Sequence, residues 1–385
     1  MSALSTDLVK VLQRSELGWL LAILRDRGYT VVGPTIRDAA IVLDEIASVE
    51  DLPIGMTAEE GPGGYRLLPR SDDAVFGFGV GPSTAKRWLL PTSRILWRTR
   101  LIDGTLTVLP EVAEAKPVAL FGIRACDLQA VDILDRVCAG GCYADSHYVA
   151  VRERLFTVAV DCADPPSTCF CTSMGGSPAA ESGFDIRLTE IAGPPHRFLV
   201  DPGSEAGSAI VDALQAALAS EEDLAARASQ AGQASQRITK RLDCRGLREI
   251  LERNAENRTW DEAATRCFAC GSCTMVCPTC FCSTTKMSSS MLTGESECER
   301  QWDSCFSEQF SFIHGGSVRE STMSRYRQWV THKLAAWHEQ FGVSGCVGCG
   351  RCIAWCPAGI DITEVASTIR RSDVAAKRPT VGKEH

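Results

Sequence analysis

The chain has 385 residues and a formal net charge of −8; 45% of its residues are hydrophobic and 23% are charged. This apolar fraction excludes a disordered chain, and the length exceeds what one hydrophobic core usually spans, so about two or three domains are expected. The acidic balance argues against nucleic acid or an anionic membrane as a partner, and the lack of a long apolar run or a signal segment predicts a cytoplasmic protein without a membrane span.

The first part of the chain alternates helix and strand patterns. Leu8, Leu12, Leu20 and Leu24 recur at helical spacing and predict a helix over residues 7–27. Further elements are predicted as strands over 29–32, 40–43, 118–123, 155–160, 184–188 and 197–200, and as helices over 127–137 and 205–219. The strand–helix–strand order between residues 117 and 160 predicts a crossover between two parallel strands. We therefore expect an α/β domain over residues 1–220.

The second part of the chain has a different pattern. Residues 221–256 are rich in Ala, Gln, Glu and Arg and predict a helical connecting arm. Residues 257–385 show little strand signal and form the last predicted domain. Within them the apolar side chains recur every three or four residues, as one buried helix face requires, at Tyr326, Val330, Leu334, Trp337 and Phe341. The predicted fold class is an α/β N-terminal domain followed by a mostly α-helical C-terminal domain.

The cysteines are unusually numerous and unevenly placed. The chain contains 19 of them; none precedes Cys126, and twelve fall between Cys267 and Cys356. In a reducing compartment such a density indicates metal or redox chemistry more often than disulfides.

Two matched motifs, Cys-x2-Cys-x2-Cys-x3-Cys-Pro, begin at Cys267 and at Cys346. This spacing is typical of bacterial two-cluster ferredoxins, in which three thiolates of a motif bind one 4Fe–4S cluster and the fourth reaches the other cluster. The crossed pattern assigns one cluster to Cys267, Cys270, Cys273 and Cys356, and the other to Cys346, Cys349, Cys352 and Cys277. Zinc is the weaker alternative, because it favours two separated Cys-x2-Cys pairs with four ligands per ion.

Between the two motifs lies an insert, residues 278–345, where a small ferredoxin has only a short connection. Its length favours a helical ferredoxin domain over the compact two-hairpin type. We interpret its four cysteines as buried thiols, with an additional metal site as the less favoured alternative; they are Cys280, Cys282, Cys298 and Cys305.

A second constellation lies in the predicted α/β domain. Cys126 and Cys162 each follow one of the two predicted parallel strands, so both thiols should meet at the same sheet edge, and Cys169 and Cys171 follow on the next loop. These four cysteines predict a third iron–sulfur cluster, with zinc or unliganded thiols as alternatives. Asp127 is predicted to cap the helix that follows Cys126, and that helix N-terminus should favour the thiolate. We interpret Cys138 and Cys142, beyond the far end of the helix, as structural.

No nucleotide site is predicted. Gly77-x-Gly79-x-Gly81 is followed at once by Pro82, so it indicates a turn and not a dinucleotide-binding loop. No phosphate-binding Walker motif occurs, and no separate cysteine pairs remain for a nickel–iron centre. The sequence therefore predicts an electron carrier with no site of its own for flavin, nicotinamide or hydrogen.

Several segments resemble one family of iron–sulfur subunits. They begin at Gly122 (GIRACDL), Cys162 (with the later Cys169-Phe-Cys171), Gly183 (GFD), Cys277 (CPTCFC), Trp302 (WDSC) and His332 (HKL). Over roughly residues 85–365 they resemble the beta subunit of cytosolic nickel–iron sulfhydrogenases and, in the same places, the iron–sulfur subunit of anaerobic sulfite reductases.

This resemblance implies an electron-transfer subunit in an oxidoreductase complex. The implied partners are the small and large subunits of a nickel–iron hydrogenase together with a flavin- and NAD(P)-binding reductase subunit, or instead a siroheme sulfite reductase subunit. The hydrogenase match is the closer one. Two hypotheses of other classes remain: a catalytic iron–sulfur subunit with an open iron, and a zinc-stabilised interaction module without a redox role.

Overall fold

The computed structural model describes residues 9–111, 115–290 and 293–376. The strands are β1 (Lys10–Gln13), β2 (Thr30–Arg37), β3 (Ala40–Glu45), β4 (Met56–Gly61), β5 (Gly64–Pro69), β6 (Ser93–Ile102), β7 (Thr105–Pro110), β8 (Val118–Ile123), β9 (Leu155–Val160), β10 (Ile186–Ile191), β11 (Arg197–Pro202), β12 (Ala217–Leu218), β13 (Ser283–Ser289), β14 (Ser296–Trp302), β15 (Phe312–Ile313) and β16 (Gly316–Ser317).

The helices are α1 (Leu17–Asp26), α2 (Lys86–Leu89), α3 (Ala125–Cys138), α4 (Ser146–Arg152), α5 (Glu205–Ala213), α6 (Glu221–Arg237), α7 (Leu247–Arg253), α8 (Thr259–Ala264), α9 (Ser272–Met275), α10 (Thr322–Thr331), α11 (Trp337–Phe341), α12 (Arg351–Ala354) and α13 (Ile362–Ala376). A π-helical turn, His332–Ala336, joins α10 to α11. Within the described ranges, no helix is long and apolar enough to cross a membrane.

An eight-stranded sheet forms the centre of the N-terminal region, in the order β12-β1-β11-β10-β9-β8-β2-β3. Strands β10, β9, β8 and β2 pair in parallel with one another, in that order. The remaining pairs, β12–β1, β1–β11, β11–β10 and β2–β3, are antiparallel. The predicted crossover from β8 through α3 to β9 is confirmed, because Val118 pairs in parallel with Leu155. The carboxyl ends of β8 and β9 therefore point to the same sheet edge.

Helices cover both faces of this sheet. Leu20 and Leu24 of α1 share a core with Phe121 and Val158, whereas Leu134 of α3 belongs to a second core on the opposite face. The continuous apolar runs of β8 and β9 follow from this arrangement, because parallel strands between two helix layers are buried on both sides. The α/β prediction for this region is thus confirmed.

Two predicted helices are partly wrong. Lys10–Gln13 forms strand β1, because its backbone pairs with β11 on one side and β12 on the other, and the helix begins only at Leu17. Likewise α5 ends at Ala213, and Ala217–Leu218 pairs with β1. In both places a ladder of backbone hydrogen bonds outweighs the helical leucine and alanine spacing. Leu8, part of the first prediction, lies outside the described residues.

The ferredoxin region is not as helical as predicted. Its insert contains β13 and β14, which join β6 and β7 in a four-stranded antiparallel sheet of order β13-β14-β6-β7. Strand β13 is exposed along nearly its whole length, so its sequence lacks the apolar alternation that predicts a strand. It forms because β14 offers backbone partners, and β14 in turn pairs with β6 from the N-terminal half.

Around the two cysteine motifs, helices α7, α8, α10 and α13 share one apolar core. Its centre includes Leu251, Trp260, Val330 and Ile369, each 1% exposed or less. Fully burying one such side chain stabilises the fold by about 1.5–3 kcal/mol.

The predicted connecting arm, residues 221–256, contains α6 and α7. Helix α6 is tied to the large sheet by the Arg197–Asp223 and Arg227–Asp201 ion pairs, and α7 packs against α13. The arm therefore runs from the large sheet to the helical core.

Candidate metal centres

The first cysteine motif forms a tight loop that leads into α9. Two residues of the loop have positive φ, Ala269 at 52° and Gly271 at 75°. The turn directs the Ala269 N–H toward Cys267 Sγ at 3.4 Å. Backbone N–H donors of this kind stabilise thiolates that bind iron.

The thiols of the first predicted ligand set line one cavity. Cys267, Cys270, Cys273 and Cys356 all border it, together with Cys352 of the second motif. The Ile360 N–H donates to Cys356 Sγ at 3.4 Å. Burial raises the pKa of Cys273 well above its usual range, so ionisation there requires a bound cation to compensate for lost water.

Two aromatic side chains that border the same cavity carry buried polar atoms without a partner. They are the Tyr326 hydroxyl and the Trp329 Nε1–H, and neither forms a hydrogen bond within the described part of the chain. Buried polar groups are normally hydrogen-bonded. Since cluster sulfides and thiolates accept hydrogen bonds, this cavity fits an iron–sulfur cluster.

The second motif brings Cys346, Cys349 and Cys352 together with Cys277. Cys277 is close enough to these three thiols for its negative charge to raise the pKa of each of them. The Gly348 N–H donates a hydrogen bond to Cys346 Sγ at 3.4 Å. Burial raises the pKa of Cys346 to about 12 and that of Cys349 to about 11. The fourth cysteine of the first motif thus lies beside the three leading cysteines of the second.

Within the described ranges, no three His, Cys, Asp or Glu side chains converge closely enough to share a single metal ion. A zinc ion needs its ligand atoms at about 2.0–2.3 Å from one point. In a 4Fe–4S cluster each thiolate binds its own iron, so its ligands are spread more widely. Among the described residues, the cysteine sets therefore do not converge as a single zinc ion requires.

Cys126, Cys162, Cys169 and Cys171 also line one cavity. Cys126 lies in the first turn of α3 after β8, and Cys162 follows β9, so the common sheet edge brings them together. The buried Arg124 orders this edge by donating to the carbonyl oxygens of Phe76, Phe78 and Asp161 at 2.7–2.9 Å.

One detail predicted for this edge is wrong. Arg124 is the N-cap residue of α3, and Asp127 forms a buried ion pair with Arg351 at 3.0 Å instead of capping the helix. Burial raises the pKa of the Cys126 thiol well above its usual range.

The edge with Cys126 adjoins the second cysteine motif. The Phe170 N–H donates to the Gly348 carbonyl at 2.8 Å, and Cys349 borders the same cavity as the four N-terminal cysteines. A Cβ atom at Gly350 would lie 2.5 Å from Thr168 Oγ1. Only glycine permits this close approach of the two loops, which places the N-terminal cysteines against the middle of the ferredoxin region.

Comparisons with known proteins agree with this geometry. Residues 266–360 match the model of a 4Fe-4S dicluster domain. The chain is 31% identical over 291 residues to Sulfhydrogenase 2 subunit beta of Pyrococcus furiosus, an alignment that covers 74% of this chain and 84% of that protein. The chain belongs to the sulfhydrogenase beta-subunit family. No solved structure matches it.

Membership of this family confirms the predicted class of iron–sulfur, electron-transfer hydrogenase subunit. The ligand set of each cluster, and the presence of a third cluster, stay predictions that the cavities support.

Cys138 and Cys142, which the sequence analysis interpreted as structural, lie far from Cys126. Helix α3 has 14 residues, which corresponds to a length of about 21 Å, and Cys138 ends it. Cys142 is exposed beyond that end. Neither residue lines the cavity of the N-terminal cysteine set.

Sequence reasoning missed the buried cations of the sites. Arg351 is 2% exposed, Lys86 2% and Lys333 3%. Arg351 lies between the second and third cysteines of its motif, at a position where the motif allows any residue. The two lysines lie outside both motifs. Lys333 belongs to the HKL segment of the family resemblance, but only the folded chain shows that all three cations are buried.

Proposed function

We propose that the chain is the electron-transfer subunit of a cytosolic multi-subunit nickel–iron hydrogenase. It relays electrons between the small and large hydrogenase subunits at one end and a flavin- and NAD(P)-binding reductase subunit at the other. The observation that carries this proposal is the contiguity of the three cysteine sets: a cysteine of the second motif borders the cavity of each of the other two sets.

The proposed ligands follow the two motifs and the sheet edge. Cys267, Cys270, Cys273 and Cys356 hold the first 4Fe–4S cluster. The second is held by Cys346, Cys349, Cys352 and Cys277, and the third by Cys126, Cys162, Cys169 and Cys171. When bound, such clusters supply one-electron carriers at low potential.

The second cluster is the middle one in this proposal. Cys352 borders the first cavity, and Cys349 borders the cavity of the N-terminal set. Electrons that enter at either end therefore pass the second motif. The chain's own residues hold the three sites at fixed separations, exclude water and donate N–H groups to the sulfurs.

The loop of the first motif is the proposed contact with one partner. Phe268 is 71% exposed between Cys267 and Cys270, and Cys270 is itself exposed. An exposed aromatic ring beside an electron carrier is suited to docking, since aromatic residues are enriched at protein interfaces.

The experiment compares the isolated chain with the reconstituted complex under anaerobic conditions. The isolated chain should accept electrons from dithionite, yet neither oxidise NAD(P)H nor evolve hydrogen. Adding the flavoprotein subunit should make the chain reducible by NAD(P)H, and adding the hydrogenase subunits should restore NAD(P)H-dependent hydrogen evolution.

A relay variant provides the decisive arm. Cys349→Ser should stop electron flow between the partners while dye-linked activity at each end is preserved, and Cys142→Ser at an exposed position is the matched control. NAD(P)H oxidation by the isolated chain would overturn the proposal. Turnover restored by a siroheme sulfite reductase subunit, but not by hydrogenase subunits, would replace it with the sulfite reductase assignment.

A further inference from the structure

Helix α10 places two aromatic side chains at the cavity of the first cysteine set. Tyr326 and Trp329 are three residues apart, so they lie on the same face of the helix, and both border that cavity. Tyr326 is 2% exposed and Trp329 is 5% exposed. The Tyr326 hydroxyl and the Trp329 Nε1–H are withdrawn from water, and neither has a hydrogen-bond partner within the described part of the chain.

Neighbouring aromatic rings hold both side chains in place. The ring centres of Tyr326 and Trp329 are 5.8 Å apart. Phe306, which also borders the cavity, lies 6.4 Å from the Tyr326 ring and 6.0 Å from the Trp329 ring. A donor that packing already holds in place does not have to reorient when the charge of its acceptor changes, so its whole hydrogen bond acts on that charge.

Two other buried aromatic donors of the same kinds are bonded to the protein itself. Trp260, in the same apolar core, donates from Nε1 to the Asn254 carbonyl at 2.8 Å. Tyr148, in the N-terminal region, donates from its hydroxyl to Asp135 Oδ1 at 2.7 Å. A buried hydroxyl or indole N–H without an acceptor is costly, so the acceptors for Tyr326 and Trp329 must come from the cavity that they border.

This cavity offers sulfur atoms as acceptors. Its cysteines are Cys267, Cys270, Cys273, Cys352 and Cys356. A tyrosine hydroxyl keeps its proton at neutral pH and an indole N–H can only donate. Reduction adds negative charge to a cluster and its sulfurs, and a hydrogen bond to a more highly charged acceptor is stronger. Donors at this place therefore favour the reduced state of a bound cluster.

We propose that Tyr326 and Trp329 donate hydrogen bonds to sulfur atoms of the first 4Fe–4S cluster and thereby raise its reduction potential. This role rests on the proposed function in one respect, that the first cysteine set holds a cluster, and it does not depend on which enzyme the subunit serves. A higher potential retains an electron at the cluster beside the exposed Phe268 loop, where the proposed partner contact lies.

The cavity of the N-terminal cysteine set differs in this respect. Among the described residues that line it, no buried side-chain nitrogen or oxygen lacks a hydrogen-bond partner. Its buried cation, Arg124, already donates to the carbonyl oxygens of Phe76, Phe78 and Asp161. The effect of Tyr326 and Trp329 should therefore be confined to the first cluster.

The test is a redox titration of the anaerobically purified full chain, followed by electron paramagnetic resonance. Cys270→Ser identifies the signal of the first cluster. Tyr326→Phe and Trp329→Phe each remove one donor and keep an aromatic ring. Each should lower the equilibrium constant for reduction of that cluster by up to about tenfold, which is about 59 mV for a one-electron couple, and should leave the potentials of the other clusters unchanged.

Trp260→Phe and Tyr148→Phe are the matched controls. They remove the same chemical groups where the acceptor is Asn254 or Asp135, so the potential of the first cluster should stay at its wild-type value. Electron–nuclear double resonance in heavy water adds a direct readout, because each test variant should lose one exchangeable proton coupled to the first cluster and the controls should lose none.

An unshifted potential in both test variants, with the first-cluster signal present, would overturn the role of these donors and leave the proposed function standing. An equal shift in Trp260→Phe would also overturn it, because packing would then set the potential. Absence of the first cluster from the unaltered chain would overturn both. If the test variants do not fold, the unaltered chain with nitrogen-15 in its indole rings decides: an indole nitrogen coupled to the first cluster supports the role of Trp329, and no such coupling refutes it.

Discussion

At the residue scale, the sites depend on buried ion pairs that join distant parts of the chain. Asp127 in α3 and Arg351 in α12 are each about 2% exposed, and their side chains are 3.0 Å apart. Arg351 also donates from Nε to the Gly81 carbonyl at 2.8 Å. One side chain thus connects the N-terminal sheet edge to the second cysteine motif.

Arg351→Met should lower the free energy of unfolding by about 3–5 kcal/mol, because it leaves the Asp127 carboxylate buried and unpaired. The double variant with Asp127→Leu should recover much of this loss, since no charge is then left unpaired. Anaerobic denaturant unfolding measures both effects. Arg258→Ala, which removes an exposed pair with Glu262, should cost less than about 1 kcal/mol; equal costs at the two sites would contradict the argument.

His196 should make the stability depend on pH. Its Nε2 lies 2.8 Å from Glu190 Oε1, and the hydrogen bond with that carboxylate raises the pKa of His196 above 6.5. A raised histidine pKa means that the folded state binds the proton more tightly than the unfolded chain. The stabilisation is therefore complete below pH 6.5 and is lost as the pH rises through the folded-state pKa.

The measurement is the apparent melting temperature of wild type and His196→Gln across that range. The difference between the two proteins should be largest at acid pH and shrink as the pH rises. A constant difference would show that only packing is lost in the variant.

At the scale of the elements, the cysteine loops depend on glycine where two loops touch. Gly350 has φ of 78° and leaves no room for a Cβ atom against Thr168. Gly294 also has positive φ, at 66°, but a Cβ atom there would meet nothing within 4 Å. Comparing substitutions at these two glycines separates the cost of left-handed backbone from the cost of a steric clash.

Gly350→Ala should destabilise the protein by clearly more than the about 1–2 kcal/mol expected for left-handed backbone alone, and it should reduce iron retention. Gly294→Ala should cost only the backbone contribution and keep the iron content unchanged. Thermal unfolding together with iron analysis measures both. Similar behaviour of the two variants would mean that the contact between the loops does not restrict residue 350.

The strands of the insert illustrate what sequence patterns miss at this scale. Helix α3 and strands β8 and β9 were predictable because burial on a defined face demands apolar residues at a defined period. Strand β13 is almost fully exposed, so burial left no pattern in its sequence. Its conformation follows from hydrogen bonds to β14, whose other partner, β6, belongs to the N-terminal half of the chain.

At the scale of the whole molecule, the proposed crossed use of the two motifs would link both halves of the ferredoxin region. Cys277→Ser should alter the cluster held by the second motif and leave the cluster of the first motif with its four cysteines. Cys356→Ser should have the reciprocal effect. Electron paramagnetic resonance of the two variants, reduced stepwise, distinguishes the sites. If Cys277→Ser changed only the first-motif cluster, the crossed assignment would be wrong.

The amino-acid sequence alone was enough to recognise the cysteine motifs and to predict the family, because iron–sulfur ligation requires cysteines at short, fixed spacings along one loop. It was also enough for the parallel β8–α3–β9 unit, which the structure confirms. Only the folded chain reveals that the α/β and ferredoxin loops meet at Gly348 and Gly350, and that Lys86 and Lys333 are buried. Those features arise between segments far apart in the chain, where neither spacing nor periodicity carries information and only packing and charge balance select the arrangement.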